Sequence, residues 1–158
     1  MRMPDPDRDV ISRRGKIIAA LRRIVPGEGV IAEEEELRAY ECDGLTAYRQ
    51  LPMIVVLPET TQQVAEILKY CHGSGIKIVP RSAGTSLSGG ALPLADGITL
   101  GPGKFNRILD IHYDNRCVTP QPGVTNLAIT HAADAAGFYY PPEPSSQIAC
   151  SIGGNAAD

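Results

Sequence analysis

The sequence predicts an α+β fold in which a βαβ subdomain with a small parallel sheet precedes the start of a second, largely antiparallel subdomain. Two observations predict this fold. A strand–helix–strand pattern runs from Met53 to Val79, and shorter strands separated by turn residues run from Gly97 to Pro120. The chain has 158 residues, of which 43% are hydrophobic, so one domain with a substantial core is expected.

The first 29 residues are predicted to form an N-terminal helical extension, and residues 30–158 the main domain. Between Val10 and Val25 the apolar residues fall on one helical face, and Pro26 ends the helix. The acidic run Glu33–Glu36 then predicts a short exposed helix start, where carboxylates favour the positive end of the helix dipole.

The βαβ unit begins at Met53–Leu57, which is rich in branched apolar residues and stops before a proline, as buried strands do. Thr60 or Thr61 can cap the next helix, and Gly73–Gly75 close it. Ile76–Val79 is the next strand. Since a helix joins the two strands, they are expected to be parallel.

The pattern changes after residue 96. The predicted strands Gly97–Leu100, Phe105–Ile111 and Cys117–Pro120 are close in sequence with turns between them, which suggests an antiparallel meander. A helix is predicted over Asn126–Ala136. The tail, Tyr139–Asp158, is rich in Pro, Ser and Gly and is expected to be mostly irregular.

The segment Pro80–Pro93, called here the glycine loop, reads PRSAGTSLSGGALP and follows the second strand of the βαβ unit. Its three glycines allow sharp turns and close approach to a ligand. Successive N–H groups in such a turn can form a concave anion site, and a phosphate or diphosphate is the natural ligand. The loop lacks both the Walker ending and the Gly-x-Gly-x-x-Gly spacing. From composition alone, a plain connection remains the alternative.

A second small-residue cluster comprises Pro144–Ser146 and Ser151–Asn155. A surface loop is the alternative interpretation. Because the chain stops just after Gly153 and Gly154 with no closing strand or helix, an incomplete chain is expected.

Composition and spacing exclude several classes of function. The formal net charge of -3 and the absence of a basic stripe argue against nucleic-acid binding. No apolar run approaches the ~18 residues of a membrane span, and no signal core is present. The dispersed cysteines and histidines predict no metal site; the cysteines are interpreted as reduced thiols of a cytosolic protein. They are Cys42, Cys71, Cys117 and Cys150, with His72, His112 and His131.

Three segments in order resemble the vanillyl-alcohol-oxidase-like flavoproteins, which carry a PCMH-type FAD-binding domain. They are Pro80–Gly90, Gln121–Val124 and Pro142–Asn155. Within that family the third segment is similar to the branch that holds the FAD-linked subunits of glycolate oxidase, with D-lactate and D-2-hydroxyglutarate dehydrogenases as relatives. The resemblance covers roughly Glu33 to the end of the chain.

The resemblance implies a cofactor, FAD, and a set of residues that bind it. Backbone amides from Ser82 to Ser86 would hold the pyrophosphate, while the remaining residues would line the flavin or let the chain pass close to it. The implied cofactor-binding residues are Ser82, Ala83, Gly84, Thr85, Ser86, Gly89, Gly90, Ala91, Pro144, Ser145, Ser146, Ser151, Gly153 and Gly154. Where some relatives attach the flavin through a histidine, this chain has Thr85, so FAD is expected to be non-covalent.

The implied activity is oxidation of a 2-hydroxy acid of the glycolate or D-lactate type, with hydride transfer from the substrate α-carbon to flavin N5. The substrate domain and the catalytic residues are expected beyond Asp158, so the 158-residue chain alone is expected to be inactive, to retain little flavin and to self-associate. An iron–sulfur electron-transfer subunit is an implied partner. The implied location is the cytoplasm, at the inner face of the membrane if partner subunits bring it there.

Two other functions stay open at this point. One is a different oxidation or reduction in the same flavin superfamily, such as UDP-sugar reduction or aryl-alcohol oxidation. The other is a non-enzymatic module that binds a nucleotide or an anion.

Overall fold

The computed structural model describes residues 3–142 and 144–157. Glu143, which belongs to the third resembling segment, and Asp158 lie outside the described residues. The first part of the chain is built around a four-stranded sheet in the order β1-β2-β4-β3. Its strands are β1 (Val30–Ile31), β2 (Ile54–Val56), β3 (Lys77–Pro80) and β4 (Gly97–Leu100).

The βαβ unit forms as predicted, with one difference in strand order. Helix α4 (Thr61–Ser74) begins where the Thr60 hydroxyl accepts the N–H of Gln63 at 3.2 Å, and it ends at Gly75, whose φ is +67°. The strands β2 and β3 that flank it are parallel, but both pair with β4, which lies between them. The edge strand β1 runs antiparallel to β2.

The predicted position of β4 was wrong. The sequence suggested that residues 97–100 belong to an antiparallel meander, whereas β4 is parallel to both of its neighbours. Its four residues are all buried, and Ile98 pairs with Ile54 on one side and with Ile78 on the other. A strand covered on both faces and paired on both edges is the most protected site in a sheet, which suits this short apolar run.

The N-terminal helix is divided in two. Helix α1 (Arg8–Ser12) and helix α2 (Arg14–Ile24) meet at Arg13, whose backbone leaves helical geometry at φ -90° and ψ 4°. The apolar face of α2 is buried in the same core as the sheet, with Ile17 and Leu21 at 1% exposure or less. The division of the chain after residue 29 stays a prediction, but α2 contributes to the core of the domain that follows.

Asp96 connects the N-terminus to the sheet. Its side chain is 2% exposed and accepts hydrogen bonds from the Lys77 ammonium at 2.6 Å and the Asp7 N–H at 2.8 Å. Burial opposes ionisation of this carboxyl, but the two donors outweigh it, and the pKa of Asp96 lies below its usual range. The carboxylate therefore holds α1 against the loop that precedes β4.

The short helix predicted from the acidic run is α3 (Glu34–Leu37), and single 3₁₀ turns occupy Gly27–Gly29 and Arg38–Tyr40. None of the helices within the described residues combines the length and hydropathy that spanning a bilayer requires.

The second part of the chain carries an antiparallel hairpin of β5 (Ile108–His112) and β6 (Cys117–Pro120). Helix α5 (Asn126–Asp134) follows, capped by the Thr125 hydroxyl, which accepts the Ala128 N–H at 3.2 Å. The predicted strand from Phe105 starts three residues later.

The tail was expected to be mostly irregular, but it contains helix α6 (Ile152–Ala157). This helix passes through Gly153 and Gly154, residues that disfavour helices, so the sequence gives little indication of it.

Candidate functional site

A cleft of about 350 Å³ lies where the glycine loop meets the segment Ser151–Asn155, called here the serine–glycine cluster. The glycine loop leaves the carboxyl end of β3, and its first residue after the strand, Arg81, donates its N–H to the carbonyl of Leu100 at 2.9 Å. The cleft thus opens where two parallel strands end, which is the usual place for ligands in open α/β sheets.

Ten of the fourteen residues predicted to bind the cofactor line this cleft. They are Ser82, Ala83, Gly84, Thr85, Ser86, Gly90, Ala91, Ser151, Gly153 and Gly154. Two sequence segments about seventy residues apart therefore form the two walls of one cavity.

The other four predicted residues do not line the cleft. Gly89 forms a turn whose carbonyl accepts the N–H of Leu92 at 3.2 Å. The segment Pro144–Ser146 forms a turn that leads to Cys150, and its carbonyls accept N–H groups of residues 147, 149 and 150. Contact of these four residues with the flavin stays a prediction.

The amides of the glycine loop are available to a ligand. Among the described residues, the N–H groups from Ser82 to Ser86 have no hydrogen-bond acceptor. Gly84 sits in the middle of this run with φ +71°, a left-handed conformation that strains other residues. Five unpaired backbone donors in a cleft suit an anionic ligand with several oxygens, as a diphosphate has.

The two walls are in direct contact. The hydroxyl of Ser82 is hydrogen-bonded to the hydroxyl of Ser151, which is buried at 4% exposure. Ser151 also pairs with Thr125 in an isolated antiparallel bridge, and the Gly153 N–H donates to the Pro122 carbonyl at 2.9 Å. These contacts fix the serine–glycine cluster against the turn that starts α5.

A buried amide pair supports the same wall from behind. The Asn126 side chain, 1% exposed, donates to the Pro142 carbonyl at 3.0 Å and accepts a hydrogen bond from the Asn155 side-chain amide. Both polar ends of Asn126 are therefore paired, which buried amides require.

Sequence reasoning missed seven residues that line the cleft. Five of them lie inside the resembling segments, so their membership in those segments was the available signal: Pro80, Arg81, Pro122, Cys150 and Asn155. Nothing local marked the other two, Pro102 and Ala157, because the fold alone brings them to the cleft.

The cleft can bind an anion, and the described residues that line it include no acid–base group. Within the described part of the chain, its lining contains no carboxylate and no histidine, and Arg81 is its one charged residue. The backbone amides, the hydroxyls and this guanidinium all donate hydrogen bonds. The arrangement fits the phosphate-bearing portion of a large cofactor, and none of its described residues supplies a base that could abstract a proton.

Comparison with known proteins agrees with this geometry. The family model described as "FAD binding domain" matches residues 52–158. The chain is 50% identical to the Escherichia coli K12 glycolate oxidase subunit GlcD over 156 residues, which is 99% of this chain and 30% of that protein. It is 35% identical to the mitochondrial D-2-hydroxyglutarate dehydrogenase of Bos taurus over 140 residues, 89% of this chain and 26% of that protein. The chain thus spans less than a third of the length of these relatives.

Solved structures show the same fold at low identity. A p-cresol methylhydroxylase with substrate bound matches with a TM-score of 0.80 and 21% identity over 99% of this chain and 31% of the other. An alkyldihydroxyacetonephosphate synthase matches with a TM-score of 0.76 and 13% identity over 98% and 32% of the two chains. The fold is therefore the PCMH-type FAD-binding fold that the sequence predicted, and the chain belongs to the FAD binding domain family.

Proposed function

We propose that this chain is the FAD-binding portion of a flavin-dependent dehydrogenase or oxidase that acts on a 2-hydroxy acid of the glycolate or D-lactate type. The observation that carries the proposal is the 50% identity to a glycolate oxidase subunit over 99% of the chain. The relatives also include proteins named for D-2-hydroxyglutarate and D-lactate, so the shared substrate class is the 2-hydroxy acid.

The glycine loop would hold the pyrophosphate of FAD. Its unpaired amides from Ser82 to Ser86 support this assignment, since backbone donors bind an anion without the conformational entropy cost of ordering long side chains. The serine–glycine cluster would form the facing wall, and the contact between Ser82 and Ser151 would set the width of the cleft.

FAD would be bound non-covalently. Thr85 stands where some members of the family carry the histidine that attaches the flavin. The histidine nearest in sequence before it is His72 on α4, and the next after it is His112 on β5; neither lines the cleft.

FAD supplies the two-electron redox chemistry, and this part of the protein would bind and orient it. The proposed hydride transfer from the substrate α-carbon needs catalytic groups that no described residue of the cleft supplies. An iron–sulfur partner subunit and a cytoplasmic location remain part of the proposal. The four cysteines, all free thiols in the described part of the chain, support a reducing compartment.

The test is the visible spectrum of the protein purified with its natural termini. We expect bound flavin, and we expect glycolate, D-lactate or D-2-hydroxyglutarate to bleach it under anaerobic conditions. Aryl alcohols serve as matched controls. A colourless protein that cannot be reconstituted with FAD would refute the cofactor, whereas bleaching by aryl alcohols alone would assign a different reaction in the same superfamily.

Acid precipitation tests the mode of attachment. Non-covalent FAD should leave with the supernatant, and a yellow pellet would contradict this part of the proposal. A competition experiment addresses the non-enzymatic alternative: ADP that binds as tightly as FAD would favour a nucleotide-binding module.

A further inference from the structure

Arg81 is the one charged residue among the described residues that line the cleft. Its backbone is fixed by the hydrogen bond from its N–H to the Leu100 carbonyl, at the ends of β3 and β4. Its side chain contacts the segment that holds Tyr40 and Cys42, and it lies beside Gly84 of the glycine loop. The residue therefore connects three parts of the structure at the entrance to the glycine loop.

The first contact of the side chain is with the 3₁₀ turn before residue 42. One guanidinium nitrogen of Arg81, Nη1, donates to the carbonyl of Tyr40 at 3.2 Å and to that of Cys42 at 2.6 Å. The guanidinium carbon also lies 5.8 Å from the centre of the Tyr40 ring, within the range of a cation–π interaction. Tyr40 is the last residue of this turn and Cys42 lies two residues beyond it, so the guanidinium supplies a donor to carbonyls at and just after the end of the turn.

The second contact is with the glycine loop itself. A Cβ placed on Gly84 would lie 2.4 Å from Nη2, 2.6 Å from Cζ and 2.9 Å from Nε of Arg81. The guanidinium therefore occupies the space beside the Gly84 backbone where a side chain would otherwise be. Gly84 is the central residue of the run of unpaired amides, so the guanidinium supports the part of the loop proposed to bind the pyrophosphate.

The segment Tyr40–Gly44 also contacts the loop directly. A Cβ on Gly44 would lie 2.7 Å from the Thr85 carbonyl oxygen and 3.1 Å from that of Ser86. These two carbonyls face Gly44, so the Tyr40–Gly44 segment packs against the carbonyl oxygens of the glycine loop. Arg81 ties the same segment to the sheet. The loop therefore contacts the guanidinium at Gly84 and the Tyr40–Gly44 segment at Thr85 and Ser86.

We propose that Arg81 is a positioning residue that holds the glycine loop in its anion-binding shape by placing its planar guanidinium between Gly84 and the carbonyls of Tyr40 and Cys42. The proposal rests on the assignment of the loop to the FAD pyrophosphate. It requires the planar, multiply donating shape of arginine as well as its charge, and lysine offers only a compact ammonium group.

The experiment compares Arg81→Lys and Arg81→Gln with wild type in the protein with its natural termini, after removal of the flavin. Arg23→Gln, an exposed position on α2, is the matched control. The affinities for FAD, for ADP and for riboflavin are measured separately. ADP carries the diphosphate without the flavin ring, and riboflavin carries the ring without the diphosphate.

We expect both Arg81 variants to bind FAD and ADP about tenfold more weakly or worse, since the two hydrogen bonds from the guanidinium to the Tyr40 and Cys42 carbonyls are lost. Riboflavin affinity should change less than twofold, and the control should match wild type for all three ligands. A variant that has merely lost stability would lose riboflavin affinity as well. Melting temperatures measured on the apoproteins show whether each variant is folded.

Two results would overturn the inference. Wild-type affinity for FAD in Arg81→Lys would mean that positive charge alone is needed, and equal losses for FAD and riboflavin would mean a general structural role. Failure of the proposed function appears differently, because the wild-type protein itself would then bind no FAD, or would bind ADP as tightly as FAD.

Discussion

The hydroxyl of Ser82 on the glycine loop contacts the hydroxyl of Ser151 on the serine–glycine cluster, 69 residues later in the chain. Each serine is paired by the other, and Ser151 is buried. This contact joins the two walls of the cleft, so its loss should affect ligand binding more than it affects the distant core.

The first prediction concerns this serine pair. Ser151→Ala should lower the free energy of unfolding by about 1 kcal/mol, the typical net contribution of one hydrogen bond, and should weaken FAD binding. Ser82→Ala should have a similar effect. The double variant should lower the free energy of unfolding by less than the sum of the two single variants, because each of them removes the same contact. Urea unfolding and flavin titration measure these quantities. Additive losses would show that the two hydroxyls act independently.

The second prediction concerns Gly84. Alanine there must adopt φ +71° and displace the Arg81 guanidinium, so Gly84→Ala should cost about 1–2 kcal/mol of stability and markedly weaken FAD binding. Gly73→Ala is the matched control, since it lies in α4 with open space around its Cβ position. The control should be stabilised by up to about 1 kcal/mol. Flavin affinity retained in Gly84→Ala would contradict the role given to this turn.

The third prediction is a pH dependence that arises from Asp96. Because the pKa of Asp96 is lowered in the folded state, its ion pair stabilises the fold above the unfolded-state pKa of about 3.9. This contribution is lost as the pH falls through the folded-state pKa. At pH 7 the free energy of unfolding of Asp96→Asn should therefore be about 1.5–3 kcal/mol lower than that of wild type. On acidification the free energy of unfolding should fall less in this variant than in wild type.

Urea unfolding between pH 7 and pH 2.5 checks this prediction. The exposed Glu35→Gln variant should follow wild type within about 0.5 kcal/mol throughout. A constant difference between wild type and Asp96→Asn across the whole range would show that the carboxylate charge is not responsible.

The fourth prediction concerns thiol reactivity. Burial raises the pKa of Cys71 to about 11, so at pH 8 about one thousandth of this thiol is ionised. The exposed Cys117 should react rapidly with a disulfide reagent, whereas Cys71 should react only after the protein unfolds. Mass spectrometry of the labelled peptides distinguishes them. Rapid labelling of Cys71 in the native protein would place that residue outside the core.

The sequence predicted the βαβ unit well because each of its signals is local. Branched apolar residues mark β2, Thr60 caps α4, and Gly75 ends it in a left-handed conformation. The position of β4 was missed because sixteen residues without a helix separate it from β3, and a crossover is usually recognised by its helix. The central position of β4 is established only by the pairing of Ile98 with β2 on one side and β3 on the other.

The sequence predicted the two motifs of the candidate site, the glycine loop and the serine–glycine cluster. It did not predict that they line the same cleft. The glycines and hydroxyls of the glycine loop are compatible with an anion site or a plain connection, and the resemblance carried by the three segments favours the anion site. The hydrogen bond between Ser82 and Ser151 and the placement of Pro122 depend on how the second part of the chain packs, which no local pattern encodes. The role of Arg81 is also tertiary, since its acceptors lie 41 and 39 residues earlier in the sequence.

The central position of β4 has a consequence for synthesis of the protein on the ribosome. Before residue 100 emerges, β2 and β3 lack the strand that lies between them, and the backbone N–H and C=O groups on the edges that will face β4 have no partner. The glycine loop must fold back before the nascent chain can close this gap. We therefore expect the glycine loop to fold and the sheet to be completed in the same step during translation.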